Sequence, residues 1–224
     1  MKVIKVASSV MKGNENIALE NQIVFKADNV FVVNIMGSPG AGKTTLLLRT
    51  IEALREDVRI GVIEGDIATS HDAELIHATG VPVVQINTEG ACHLDARMIK
   101  MALIHLDLAE IDLLFIENVG NLVCPAGFRL GESARVVVSS VPEGDDKPKK
   151  YPGMFRVVDA VLLNKIDLLE VFGFNINIFK EGVGRTGLKI FEVSCKTKEG
   201  LPGWIDWLVK RSCQLSAISD QQRP

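Results

Sequence analysis

Residues 37–44 read GSPGAGKT. They match G-x-x-x-x-G-K-S/T at every fixed position. An apolar, β-branched run (NVFVVNIM) precedes them and a helix-like stretch (TTLLLRTIEALRED) follows. Strand, glycine-rich turn and helix in that order are the context a phosphate loop requires. Gly37, Gly40 and Gly42 free the backbone for conformations that a side chain obstructs, so N–H groups can face phosphate oxygens. The helix start adds the positive end of its dipole. Lys43 is placed for the β- and γ-phosphates and the Thr44 hydroxyl for Mg²⁺. Ser38, Pro39, Ala41 and Thr45 complete the segment that wraps the phosphates.

Outward from this loop, apolar runs alternate with helical patterns. VIEGD, VPVVQIN, DLLFIEN, ARVVVSSV, DAVLLN and LKIFEVS read as further strands. CHLDARMIKMALIHLDLAEI reads as one long helix and LPGWIDWLVKRSCQL as a closing helix. Runs that are apolar on both faces, separated by helices, predict an α/β fold of the P-loop NTPase kind. Its sheet is expected to be mostly parallel and covered by helices on both faces. Residues 29–215 are expected to form the GTPase domain, residues 1–28 an N-terminal extension containing a helix (NENIALENQIVFKAD), and residues 216–224 a flexible tail. PEGDDKPKKYPG reads as the clearest loop. VFGFNINIFKEGVGRTG is a weak helix pattern crossed by glycines.

In such a sheet ligands bind beyond the carboxyl ends of the strands. NKID, residues 164–167, stands at one of those ends. Guanine shows an N1–H and an exocyclic NH₂ side by side, and the Asp167 carboxylate can accept from both. Adenine offers no such pair and would leave the carboxylate unpaired. Lys165 can lie along the base, and Asn164 can tie neighbouring loops. VSCK, again after a strand, supplies Ser194, Cys195 and Lys196 and resembles the Ser-Ala-Lys base-binding loop of GTPases, with Cys195 where Ala is usual. Asp66 (in EGD, with Glu64) and Glu117 (in EN) end two further strands and join Thr44 as candidate Mg²⁺ ligands. Asp72 reads equally as an acidic ligand or as a helix-start residue. Lys43, Thr44, Asp66 and Glu117 are thus the catalytic candidates, with slow intrinsic hydrolysis expected.

EGACHLDAR, residues 89–97, sets Cys92 beside His93 after a strand, at the same sheet edge. Cys124 follows the Glu117 strand end in ENVGNLVCPAG. Thiolate and imidazole suit Ni²⁺, Zn²⁺ or Cu⁺. The expected helix start at Cys92 would favour its thiolate. The alternative reading is that the pair simply packs. His71, His77 and His105 fall in helical patterns as ordinary residues, and Cys213 reads as a buried small hydrophobe.

The bulk numbers narrow the classes. In 224 residues, 25 Lys and Arg against 28 Asp and Glu give a net charge of −3, which makes no case for nucleic acid or an anionic membrane. The opening residues are broken by Lys2, Lys5 and Lys12 and do not read as a signal peptide. No apolar run approaches the roughly 20 residues of a membrane span. A cytoplasmic location with reduced thiols is expected.

Taken together, GSPGAGKTT, EGD, TEGACHLDA, ENVGNLVCPA and NKIDL resemble the HypB family, GTPases that help insert nickel into nickel–iron hydrogenase. GACHLDA and ENVGNLVCP carry most of the specificity, since ordinary GTPases have neither. The resemblance implies GTP/GDP and Mg²⁺ as cofactors and Ni²⁺ or Zn²⁺ on Cys92, His93 and Cys124. It also implies a GTP-promoted homodimer with those ligands near its interface. The implied partners are hydrogenase maturation proteins or the hydrogenase large subunit. Some members carry a Cys-rich or His-rich N-terminal stretch, whereas residues 1–28 here contain neither residue. The rival readings are a GTPase chaperone for another nickel or cobalamin enzyme, a small-molecule P-loop kinase, and a structural zinc protein.

Overall fold

The computed structural model describes the backbone of residues 6–67, 69–184 and 187–221, with side chains over 11–67, 69–184 and 187–213. The strands are β1 (Phe31–Gly37), β2 (Ile60–Asp66), β3 (Val83–Asn87), β4 (Leu113–Glu117), β5 (Ala134–Ser140), β6 (Ala160–Asn164) and β7 (Lys189–Glu192). They form one sheet in the order β3-β2-β4-β1-β5-β6-β7, with every pairing parallel. The helices are α1 (Val6–Ala27), α2 (Lys43–Leu54), α3 (His71–His77), α4 (Ala96–Leu103), α5 (Lys147–Lys150), α6 (Pro152–Arg156), α7 (Leu169–Phe172), α8 (Ile176–Val183) and α9 (Leu201–Gln221).

β1 and β5 are buried along their whole length, as a sheet covered on both faces demands. Alternation along β1 sorts the two layers. Phe31, Val33 and Ile35 pack with Leu46, Leu47 and Ile51 of α2, Ile76 of α3 and Trp204 of α9. Val32 faces the other way, with Phe25 of α1 and Ile99 of α4. Met36 joins Phe155 of α6 and Phe179 of α8 on that same side. The register brings the carboxyl ends level: Ile35 and Glu64 both pair with Glu117, and Ser140 pairs with Asn164. Every strand end singled out in the sequence therefore opens on one edge.

Several local expectations are corrected. The long helix expected from Cys92 begins at Ala96, because Asp95 is its N-cap and accepts from the Met98 N–H (2.8 Å). It ends at Leu103, and a 3-10 turn follows at Leu108–Glu110. Cys92 and His93 thus lie on a loop, and the helix-start argument for the Cys92 thiolate does not apply. The expected loop PEGDDKPKKYPG contains α5 and the start of α6, each with a proline in its first turn, after a Ser140–Glu143 capping box. Two of the glycines of residues 171–187 are helix stops, whereas Gly182 lies inside α8. Gly173 and Gly184 take left-handed conformations at the ends of α7 and α8, and Asn175 caps the start of α8. Cys213 is exposed. The closing helix continues to Gln221 through residues assigned above to the tail, of which 222–224 lie outside the described residues. Among the described residues no helix is long and apolar enough to cross a membrane.

Candidate nucleotide and metal sites

A cavity of about 490 Å³ opens at the carboxyl edge, bounded by the phosphate loop, the ends of β2 and β4, and Lys165. Gly42 (φ 95°) precedes α2, and no side chain caps that helix, so its first N–H groups are left for a ligand. Gly40 (φ 75°) also takes the left-handed region, and Lys43 Nζ folds over the loop to the Ser38 carbonyl (3.3 Å). A Cβ on Gly42 would stand 2.4 Å from Asn164 Nδ2, so the loop and the NKID segment touch.

The Thr44 hydroxyl donates to Glu117 Oε1 (2.8 Å). Glu64 and Glu117 lie abreast on paired strands, 2% and 3% exposed, and one oxygen of each has no protein partner. Burial, then the charges of Glu117, Asp66 and Asp72, push the Glu64 carboxyl up to about 8. Burial pushes Glu117 up to about 7, against the opposing pull of Lys43 and the Thr44 hydroxyl. Orphaned, desolvated carboxylates beside a phosphate loop fit a divalent cation, whose charge would lower both values. Asp66 accepts from Thr69 Oγ1 (2.7 Å). Glu64, Asp66 and Asp72 bring ligand atoms within 4.8 Å of one another. Asp72 sits in the first turn of α3, whose N-cap is Ser70.

The NKID and VSCK segments meet at the carboxyl edge. Ser194 Oγ donates to Asp167 Oδ1 (2.6 Å) and aims the carboxylate. Asn164 donates to the Ala41 carbonyl (3.0 Å) and accepts from the Cys195 N–H (3.2 Å), joining phosphate loop and base loop. Lys165, in a left-handed conformation, reaches the Gly40 carbonyl (2.7 Å). The Cys195 side chain is buried in the same core cluster as Val193 and Trp204, and that burial pushes its thiol up to about 11. Lys196 is exposed at the rim.

Cys92, His93 and Cys124 converge. Each offers a ligand atom, and these lie within 4.8 Å of one another. His93 packs on Phe128 with centroids 4.1 Å apart. Burial, opposed by Asp95, lowers the His93 pKa and keeps the imidazole neutral, the form that ligates. The hydrogen bond with Cys92, then burial, raise the Cys124 pKa, so metal binding must displace a proton there. Cys124 opens a short 3-10 turn, Cys124–Gly127.

Two residues that the sequence reading did not single out hold this arrangement. Asn121 donates through Nδ2 to the Cys92 carbonyl (3.3 Å) and accepts from the N–H groups of Val123 (2.7 Å) and Cys124 (3.4 Å). Its own N–H donates to the Gly37 carbonyl (2.9 Å). One residue thereby touches both cysteine-bearing segments and the phosphate loop. Arg135, on β5 and 4% exposed, is ion-paired with the equally buried Glu132. Its guanidinium donates to the carbonyls of Ala126 (3.2 Å) and Pro125 (3.5 Å), and also to that of Phe128, so it holds the Cys124 turn from beneath. An Asn following a Gly turn was a legible hint of the first. Nothing local in ARVVVSS marks the second.

Residues 31–182 match the family model described as CobW/HypB/UreG, nucleotide-binding domain. The hydrogenase maturation factor HypB of Azotobacter vinelandii is 47% identical over 225 residues, covering 99% of this chain and 74% of that protein. The chain belongs to the HypB family. Solved HypB structures agree in fold. The Helicobacter pylori protein, crystallised in complex with nickel, superposes with a TM-score of 0.86 at 39% identity, covering 90% of this chain and 96% of that one. HypB of Archaeoglobus fulgidus gives 0.84 at 40%, covering 90% and 99%. The seven-stranded parallel sheet is thus the HypB fold, and the phosphate loop and the β4 end fall inside the matched nucleotide-binding domain.

Proposed function

We propose that this chain is a GTP-hydrolysing metallochaperone that serves nickel insertion into hydrogenase. The observation that carries the reading is the convergence of Cys92, His93 and Cys124 on the segment that leaves β4 just after Glu117. A metal bound there shares its supporting chain with the phosphate end of the nucleotide. Asp167 selects guanine, and the phosphate loop from Gly37 to Thr45 holds the phosphates. Thr44, Asp66 and Glu117 hold Mg²⁺, directly or through water. One chain offers three soft ligands, whereas a closed tetrahedral shell takes four. A twofold homodimer would bring two such triads onto one self-complementary patch. An incomplete shell also suits a protein that hands its cargo on, here to hydrogenase maturation proteins or the large subunit.

GTP would order the segment carrying Asn121 and Cys124, and by linkage the metal would strengthen nucleotide-dependent dimerisation. The test is sedimentation with and without Ni²⁺ or Zn²⁺, in GDP and in a non-hydrolysable GTP analogue, for the unmutated chain and Cys92→Ala. The expected result is metal-enhanced dimerisation with the GTP analogue that Cys92→Ala abolishes. Dimerisation and metal stoichiometry indifferent to both nucleotide and Cys92 would leave the pair structural and the reading wrong.

A further inference from the structure

α1 carries two buried asparagines on the face that meets the rest of the molecule. Asn14 and Asn21 are 8% and 1% exposed, and buried Ala18 and Phe25 extend the same stripe at helical spacing. Asn14 accepts from the Ala96 N–H (2.8 Å) and donates to the Arg129 carbonyl (2.8 Å). Asn21 donates to the carbonyls of Ala96 (2.8 Å) and Leu130 (3.0 Å). Each asparagine therefore bridges the same two pieces of chain. One follows His93. The other follows Phe128, whose ring packs on His93.

The contact is close as well as directional. A Cβ on Gly131 (φ 101°) would stand 2.8 Å from the Ala18 carbonyl oxygen and from Asn21 Cβ. A wholly apolar stripe would attach a helix equally well but would tolerate sliding. Buried amides that bond backbone on both sides favour one register, because a shift would break these bonds inside the protein. The spacing they fix is that between the loop bearing Cys92 and His93 and the turn bearing Cys124.

We propose that Asn14 and Asn21 are positioning residues that bracket the metal site, and that α1 acts as its spacer. The proposal rests on the metal reading above. Loss of groups that orient metal ligands typically weakens metal binding by about 10–100-fold, and that is the expected effect on Ni²⁺ affinity of the full chain carrying Asn14→Leu with Asn21→Leu. Ni²⁺ alone is titrated, followed by its thiolate charge-transfer absorption, alongside binding of a fluorescent GDP analogue, which should be retained because neither asparagine bonds to the phosphate loop or the NKID segment. Asn14→Leu alone, at the less buried site, keeps the test open should the double variant not fold. Phe25→Leu supplies a matched loss of thermal stability on the same helix without touching either asparagine, and should retain Ni²⁺ affinity. Unchanged Ni²⁺ affinity in the asparagine variants overturns the bracket, as does an equal loss in Phe25→Leu. Unchanged affinity in Cys92→Ala would instead remove the metal reading itself, and the bracket with it.

Discussion

Glu117 provides a test in which proton, metal and fold are linked. Its carboxyl is displaced from an ordinary 4.5 to about 7 by burial. Each tenfold in proton affinity corresponds to about 1.4 kcal/mol, so the displacement amounts to about 3 kcal/mol. The sign follows from which state holds the proton. Below pH 4.5 the group is protonated folded or unfolded, and the stability is fully present. Above that value the unfolded chain releases its proton while the folded chain keeps it, so stability falls until the pH passes about 7. Glu64, beside it and raised to about 8, extends the decline. The assay is urea and thermal unfolding of the protein free of nucleotide and Mg²⁺, from pH 5 to 8.5, for the unmutated chain and Glu117→Gln. Gln keeps a carbonyl oxygen for the Thr44 hydroxyl but carries no charge. The unmutated chain should lose about 3 kcal/mol more across this range, or roughly 6–12 °C in midpoint for a chain of this size. Mg²⁺ with GDP should flatten the difference, since the ion binds the deprotonated carboxylates. Parallel profiles for the two proteins would refute the assignment of Glu117 as a desolvated carboxyl.

Asp167→Asn should weaken GTP by about 10²–10⁴-fold, the loss of two hydrogen bonds to a charged acceptor, and should improve xanthosine triphosphate, as competition binding would measure. Lys43→Ala should lower GTP turnover by about 10²–10³-fold, measured by phosphate release. Arg135→Met leaves Glu132 buried without its partner and should destabilise by about 3–5 kcal/mol. Adding Glu132→Leu should restore the denaturation midpoint but not Ni²⁺ affinity, because the carbonyls of the Cys124 turn stay unclamped. Gly200→Ala places a Cβ 1.9 Å from the Glu192 carbonyl oxygen at φ 71°. It should cost on the order of 2–4 kcal/mol of stability by calorimetry, from clash and strained backbone together.

The strands and the nucleotide motifs were legible because their signals are short-range. A buried parallel strand writes an unbroken apolar run, and GSPGAGKT and NKID place chemistry at fixed spacing after such runs. The cluster of Cys92, His93 and Cys124 was legible as residue types but not as geometry. CHLDARMIK has a helical period throughout, and the cap at Asp95 excludes Cys92 and His93 from the helix. The glycines after Val171 were visible, yet whether each ends a helix depends on a left-handed conformation at Gly173 and Gly184. Arg135 was unreadable for a different reason. In ARVVVSS it looks like a charge interrupting a strand, and its partners come from residues 125–132, which only the folded chain brings beneath it. Asn14 and Asn21 stand in the expected N-terminal helix with nothing in the sequence to set them apart from its other polar residues, yet they face inward.

Both tryptophans of the chain, Trp204 and Trp207, stack on each other in α9, and the Trp204 indole N–H donates to Thr50 Oγ1 (3.0 Å) on α2. That places the intrinsic fluorophores in the layer with the phosphate-loop helix, whereas Leu94, next to His93, packs in the layer on the other face of the sheet. Tryptophan emission is therefore an optical gauge of global unfolding and of strain on α2, across the sheet from the layer that Leu94 joins beside His93. A fluorescence titration with metal that shows no change would carry no information about occupancy. A reporter for that event belongs on the opposite layer, for instance as Phe128→Trp, whose ring would sit against His93.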